Sequence, residues 1–281
     1  MELGRHKSSM AKVIIRPSQE WLPLSLSSVW EYRDLLYFLV WRDIKVRYKQ
    51  TFLGILWAVL QPALMTLAFF VFFGRLAGVP SEGIPYPVFA FSGILPWQLF
   101  AFALAESSNS LVSNERLVTK VYFPRVIIPL ASVLAGLVDF LVGFLVLLAM
   151  MLFWGIAPSV AAWTLPFFIF LVLAAALGVG FWFAALNVQY RDVRYTLPFI
   201  IQFWLFLSPV VYPTSLVPEP WRILYGVNPM VGAIEGLRWA LLGQRGGLGL
   251  ELVSSILTTA FLFLGGLCYF RRIERSFADV I

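Results

Sequence analysis

Charge is scarce in this 281-residue chain, where Asp, Glu, Lys and Arg together make up 13%. A soluble domain usually carries about 25%, because its surface must stay in water. Cysteine occurs once, as Cys268, so no disulfide can form within the chain. Histidine also occurs once, as His6 in a polar tail. One Cys and one His exclude a zinc site built from those ligands, and His6 alone cannot serve a catalytic triad. No glycine-rich loop followed by Lys and Ser or Thr is present, so the chain has no P-loop for nucleotide phosphates. No serine sits in a nucleophile-elbow pattern, and the apolar runs hold no paired carboxylates at helical spacing. The start of the chain has no apolar stretch long enough for a signal-peptide core. Insertion through its own spans, with a cytosolic N-terminus, is the expectation.

What the chain has is apolar surface. Hydrophobic residues make up 60% of it, and the mean hydropathy is +0.83. Eleven Trp, ten Tyr and 26 Phe suit a protein with two membrane–water interfaces, where amphipathic rings settle. A span needs about 20 apolar residues to cross a hydrocarbon core of about 30 Å. Six runs qualify, at 53–74, 86–110, 125–154, 163–187, 195–213 and 249–270. The third is long enough to extend beyond the bilayer. The fifth is short and rich in Pro and aromatics.

The basic residues fix an orientation. Seventeen of the 21 Lys and Arg fall before the first span, in the second and fourth connections or after the last span. They include Arg42, Lys45, Arg47, Lys49, Arg116, Lys120, Arg191 and Arg271. Only Arg75, Arg222, Arg238 and Arg245 fall on the other side. The bias of Lys and Arg toward the cytosol predicts six spans with both termini cytosolic. The net charge of +6 is therefore a topology signal before it is a nucleic-acid signal.

Three segments outside the spans carry information. From Ser28 to Lys49, Ser28 and Glu31 have capping-box spacing. Val29, Tyr32, Leu36, Leu39 and Val40 fall on one helical face, so the segment reads as an amphipathic helix on the cytosolic membrane surface. From Ser113 to Pro124 the chain carries both charge signs, and reads either as a solvated loop or as a short helix docking into another protein. From Pro213 to Leu248 it is too apolar for a free loop and too broken by proline for a span. Two short helices dipping back into the outer leaflet fit that pattern, as a lid on the mouth of a pathway.

Some residues inside the spans need a reason. Asp139 lies near the middle of the third run, where a charge costs about 2.5–3.5 kcal/mol. A partner, a wet cavity or a proton must offset that cost. Asp139 reads either as a pathway or interface residue or as a structural hydrogen bond between helices. Glu106 reads as an interfacial group without a special role. Gly178-Val179-Gly180 reads as a close helix contact, and Cys268 as a small buried hydrophobe. The aromatics Phe69, Phe70, Phe73, Phe203, Trp204, Phe206 and Tyr212 are either lipid and core contacts or the lining of a channel that stacks on sugar faces.

Several motifs occur in order along the chain. Trp41-Arg42-Asp43-Ile44-Lys45-Val46-Arg47-Tyr48-Lys49-Gln50-Thr51 precedes Leu53-Gly54, Trp57 and Pro62. Asn187-Val188-Gln189-Tyr190-Arg191-Asp192-Val193 follows the fourth run, and Ser208-Pro209-Val210-Val211-Tyr212-Pro213 ends the fifth. Asn228-Pro229-Met230 and Glu235-Gly236-Leu237-Arg238-Trp239 follow. From about residue 30 to the C-terminus the chain resembles polysaccharide-export permeases of the ABC-2 type.

The resemblance implies an all-α membrane protein with a type V exporter-like fold. Residues 1–50 would be a cytosolic tail and amphipathic interface helix, and 51–281 the transmembrane domain. It implies a homodimer, each copy binding a separate ATPase subunit. ATP and Mg would belong to that partner, with no cofactor and no catalytic residue in this chain. The cargo would be a polysaccharide on a polyprenyl diphosphate, of O-antigen, capsule or teichoic-acid type. Asn114, Glu115, Arg116, Leu117, Lys120, Tyr122 and Phe123 would form the coupling helix. Trp221, Tyr225, Asn228, Pro229, Glu235, Arg238 and Trp239 would belong to the outer gate. Arg42, Lys45, Arg47 and Lys49 sit where the lipid diphosphate would enter, since Arg pairs bidentately with phosphate. Their other reading is topology and contact with anionic lipid.

Rival functions remain. A permease for a small hydrophobic compound would share the fold but not the sugar-stacking lining. A transferase acting on a polyprenyl carrier would need clustered acids and a sizeable hydrophilic loop. A proton-coupled carrier would need more ionisable groups within the spans.

Overall fold

The computed structural model describes residues 26–49, 54, 56–190, 192–243, 249–274 and 277. The expectations for His6, for the basic residues before Arg33 and for Gln50, Thr51, Leu53, Arg191, Arg245 and Arg275 lie outside that set. So does the side chain of Ser28. Among the described residues the secondary structure is entirely helical.

Two helices, α1 (Leu26–Glu31) and α2 (Arg33–Lys49), precede the first apolar helix, α3 (Leu56–Phe69), which continues through a π-helical stretch, Phe70–Leu76. Then come α4 (Tyr86–Ser113), α5 (Glu115–Lys120) and α6 (Ile127–Phe153). A 3₁₀ turn at Val160–Thr164 leads into α7 (Leu165–Gln189), followed by α8 (Val193–Phe206). Last are α9 (Glu219–Tyr225), α10 (Pro229–Leu242) and α11 (Leu250–Glu274).

Five of these helices are long and apolar enough to cross a membrane: Leu56–Leu76, Tyr86–Ser113, Ile127–Phe153, Val160–Gln189 and Leu250–Glu274. Their bounds match the expected runs closely. The expected fifth span does not reach that length. Its helix has 14 residues, about 21 Å at 1.5 Å per residue. Pro209 and Pro213 lack the amide proton that would extend it, and the chain continues in turns.

Hydrogen bonds nevertheless place the residues that flank α8 toward opposite ends of α4. Just before α8, Asn187 Nδ2 donates to the Ser108 carbonyl at 3.0 Å, near the end of α4. Just after it, Val211 O accepts from the Tyr86 hydroxyl at 2.9 Å, at the start of α4. The end of α11 meets the start of α6 where the Arg125 amide donates to Glu274 Oε1 at 3.0 Å. One end of the bundle thus gathers α2, α5 and the basic connections. The other holds α9 and α10.

The central helix is α4, packed between α6 and α7, with α11 on the far side of α7. Its apolar residues Phe89, Ile94, Phe100 and Leu104 are fully buried. The α7 crossings are close, as the Gly178–Gly180 motif predicts. A Cβ at Gly178 would strike the Phe263 backbone in α11, and one at Gly180 the Ser107 side chain in α4. Cys268, expected inside, is exposed. It lies on the outward side of α11, where a small apolar side chain suits lipid as well as it suits a core.

The helix α2 follows the sequence in existence but not in orientation. Leu39 from the expected membrane face joins the protein core, with Tyr32, Leu36 and Val40 packed against it, because α2 lies along α6. The exposed apolar residues of α1 and α2 are instead Trp30, Tyr37, Phe38, Trp41 and Val46. Ser28 also falls inside α1 rather than at its start.

Candidate functional site

A half-open groove of about 900 Å³ runs beside α4, walled by α3, α6 and α8 and closed at the basic end by the last turn of α2. Three helices each offer it a carboxamide: Gln61 from α3, Gln98 from α4 and Gln202 from α8. Gln98 Nε2 is buried with no hydrogen-bond partner. Trp57, Trp97, Phe102 and Phe140 supply ring surface around these amides. Such a lining combines apolar faces with hydrogen-bonding edges, which is what a polyhydroxylated ligand presents.

The floor of the groove is an ion pair. Arg47 Nη1 lies 2.8 Å from Asp139 Oδ2, and its guanidinium sits 4.0 Å over the Phe102 ring. The Tyr48 hydroxyl donates to the other oxygen of the same carboxylate. The offset that the cost of Asp139 demanded is thus both a partner and a cavity. Arg42 is paired within its own helix, to Asp43 at 2.8 Å. Two of the four expected headgroup residues are therefore already neutralised by carboxylates, while Lys45 and Lys49 are exposed. Glu106 is exposed on α4.

The seven aromatics expected to line a channel lie outside this groove. Phe69 and Phe73 pack edge to face, with ring centres 5.7 Å apart. Phe70 packs on Tyr86. Phe203 and Phe206 are exposed. Trp204 stands on Phe100 and donates to Asn228 Oδ1 at 2.9 Å. Tyr212 donates to the Phe206 carbonyl. The readable signal for the groove was polar rather than aromatic: three glutamines inside otherwise apolar runs.

At the opposite end, α10 is fixed by Arg238, which is 0% exposed. Its Nε donates to Ser92 Oγ, its Nη1 to Pro209 O and Glu235 Oε1, and its Nη2 to Phe89 O and Val210 O. All five guanidinium donors have acceptors, and the Phe89 ring lies 3.8 Å away. Asn228 caps α10 through the Met230 amide, with Pro229 buried behind it. Trp239 is half-buried. By contrast α9 buries none of its residues, and Trp221 is exposed. Tyr225 donates to the Tyr212 hydroxyl at 2.9 Å. Tyr225 is half-buried, and desolvation of its hydroxyl, with that hydrogen bond second, pushes the phenol well above the usual tyrosine range.

The connection after α4 is a helix, α5. Val118 and Phe123 anchor it in the core, with Leu117 packed against them. Glu115, Arg116, Lys120 and Tyr122 face outward, while Asn114 is half-buried and donates to the Ser110 carbonyl. No group of His, Cys, Asp and Glu able to hold a metal exists among the described residues.

The described residues thus form an all-helical, multi-pass membrane protein with a polar groove between its helices. Residues 34–242 match the family described as ABC-2 type transporter, and the chain belongs to that family. It is 30% identical over 250 residues to the O-antigen export system permease protein RfbA of Klebsiella pneumoniae, covering 88% of this chain and 95% of that one. With the RfbA protein of Myxococcus xanthus it shares 31% over 206 residues, 72% of this chain and 78% of the other. With the polysialic acid transport protein KpsM of Escherichia coli it shares 25% over 241 residues, 83% and 91% of the two chains.

Proposed function

We propose that this chain is the membrane-spanning permease subunit of an ATP-driven exporter that moves a polysaccharide out of the cell on a polyprenyl diphosphate carrier. The single observation that carries the reading is the groove: carboxamides and rings from four helices, ending in a guanidinium. Its relatives' names, O-antigen export permease and polysialic acid transporter, support a glycan of O-antigen or capsule type.

In this reading α8 is the sixth crossing. Both termini then lie in the cytosol, and the protein sits in the cytoplasmic membrane, with α5 inside and α9 and α10 outside. Two copies pair, and the groove of each faces the shared path. Each copy carries one ATPase subunit on α5, and ATP and Mg bind there. The permease supplies the path and the gate. The ATPase supplies free energy by binding one arrangement of the pair better than the other.

The chain's own residues divide the work. Arg47, with Arg42, Lys45 and Lys49 nearby, receives the phosphates at the basic end. Gln61, Gln98 and Gln202 hydrogen-bond sugar hydroxyls, and Trp57 and Trp97 cover apolar sugar faces. On the opposite side Arg238 holds α10 in place while the loosely packed α9 is free to move.

Deleting the gene in its own host should strip the polymer from the surface and leave lipid-linked glycan in the cytosolic leaflet. Restoring the chain with Arg42→Gln and Arg47→Gln together should return less than the wild-type amount of surface polymer while the ATPase still copurifies. Unchanged surface polymer after deletion would sink the function; full restoration by the double variant would remove the phosphate role.

A further inference from the structure

A second question concerns what the groove keeps out. Phospholipids with one negative charge surround any bacterial permease and reach Arg47 by the same route as a carrier lipid. The side chain of Arg47 is 41% exposed and that of Asp139 23%, so both are accessible from the groove without unfolding. Yet Arg47 does not stand free. Asp139 already occupies it from α6, Phe102 backs it from α4, and Tyr48 holds the carboxylate in place.

Resting on the reading above, we propose that Asp139 determines specificity: it is a resident anion on Arg47 that phospholipids with one charge cannot displace and that a polyprenyl diphosphate can. The argument is an exchange of partners. A phosphodiester would trade one single negative charge for another and leave Asp139, only 23% exposed, without its guanidinium, at a cost and without a gain. A diphosphate brings more charge and several oxygens for a bidentate guanidinium contact, enough to offset the loss of the carboxylate. Selectivity of this kind comes from what the site makes unfavourable for the wrong ligand. The apolar wall of Trp57, Pro62, Met65 and Leu205 favours a ligand carried on a lipid over one arriving from water.

The test uses the permease assembled with its ATPase in lipid nanodiscs. Binding of a fluorescent long-chain polyprenyl diphosphate is measured, with phosphatidylglycerol and inorganic pyrophosphate as competitors. The wild type should prefer the polyprenyl diphosphate over phosphatidylglycerol. Asp139→Asn should cut that preference by about tenfold or more, mainly through tighter phosphatidylglycerol binding. Asp139→Ala serves as the second variant if the first does not assemble. A preference unchanged in whichever variant assembles overturns the role of Asp139 and leaves the export reading standing. A wild type without any preference overturns the lipid-linked substrate, and this inference with it. Competition by pyrophosphate as strong as by the unlabelled polyprenyl diphosphate assigns the site to a water-borne diphosphate and overturns the proposal.

Discussion

Arg238 shows how much one side chain can hold together. A guanidinium has five donors in a fixed fork, while a lysine has three around a point charge. At full burial, each carbonyl that loses its donor costs about 1–3 kcal/mol. Arg238→Lys should therefore lower stability by about 3 kcal/mol or more, read as an earlier thermal unfolding transition in detergent. A variant as stable as the wild type would mean that the contacts to Phe89, Pro209 and Val210 add nothing. Asp139 is the opposite kind of residue. It is ionic too, but it faces a cavity, so its value lies in exchange rather than in stability.

At the scale of elements, α5 has an anchored side and an outward side, and the proposed function assigns the outward side to the ATPase. Val118 and Phe123 tie the helix to the bundle, while Lys120 and Tyr122 point away from it. Phe123→Ala should destabilise the permease by about 3–5 kcal/mol, measured by thermal unfolding. Glu115→Arg with Lys120→Glu should leave the fold intact and weaken copurification with the ATPase. Pairing unaffected by that exchange would move the docking surface elsewhere. The helix α2 teaches a related lesson. It has apolar residues on two faces, and one of them is spent on α6. The close α7 crossings were readable from Gly178 and Gly180, because only small residues let backbones approach.

At the scale of the molecule, the proposed sixth crossing turns on α8. Tyr190 and Trp221 are both exposed, and the stretch that contains α8 lies between them. In a Cys268→Ser background, a single cysteine at position 221 should react with an impermeant maleimide in intact cells. One at position 190 should react only after lysis. Equal labelling of both would place the two sites on one face and remove the sixth crossing. Such a result would also put the chain ends on opposite faces.

The amino-acid order alone determined the membrane class, the bounds of five long helices, the broken apolar segment after Pro213 and the side on which charge accumulates, while it left Ser113 to Pro124 open between loop and helix. These follow from local runs, since lipid demands contiguous apolar length and charge stays where it is placed. The groove was only half legible. Asp139 stood out as a charge in an apolar run, whereas the three glutamines went unread, and nothing local says which helices share a wall. Tyr48 and Asp139 lie 91 positions apart, and Arg238 finds acceptors nearly 150 positions away. Which polar groups meet is settled by how the helices pack, and that packing joins residues no sequence window contains.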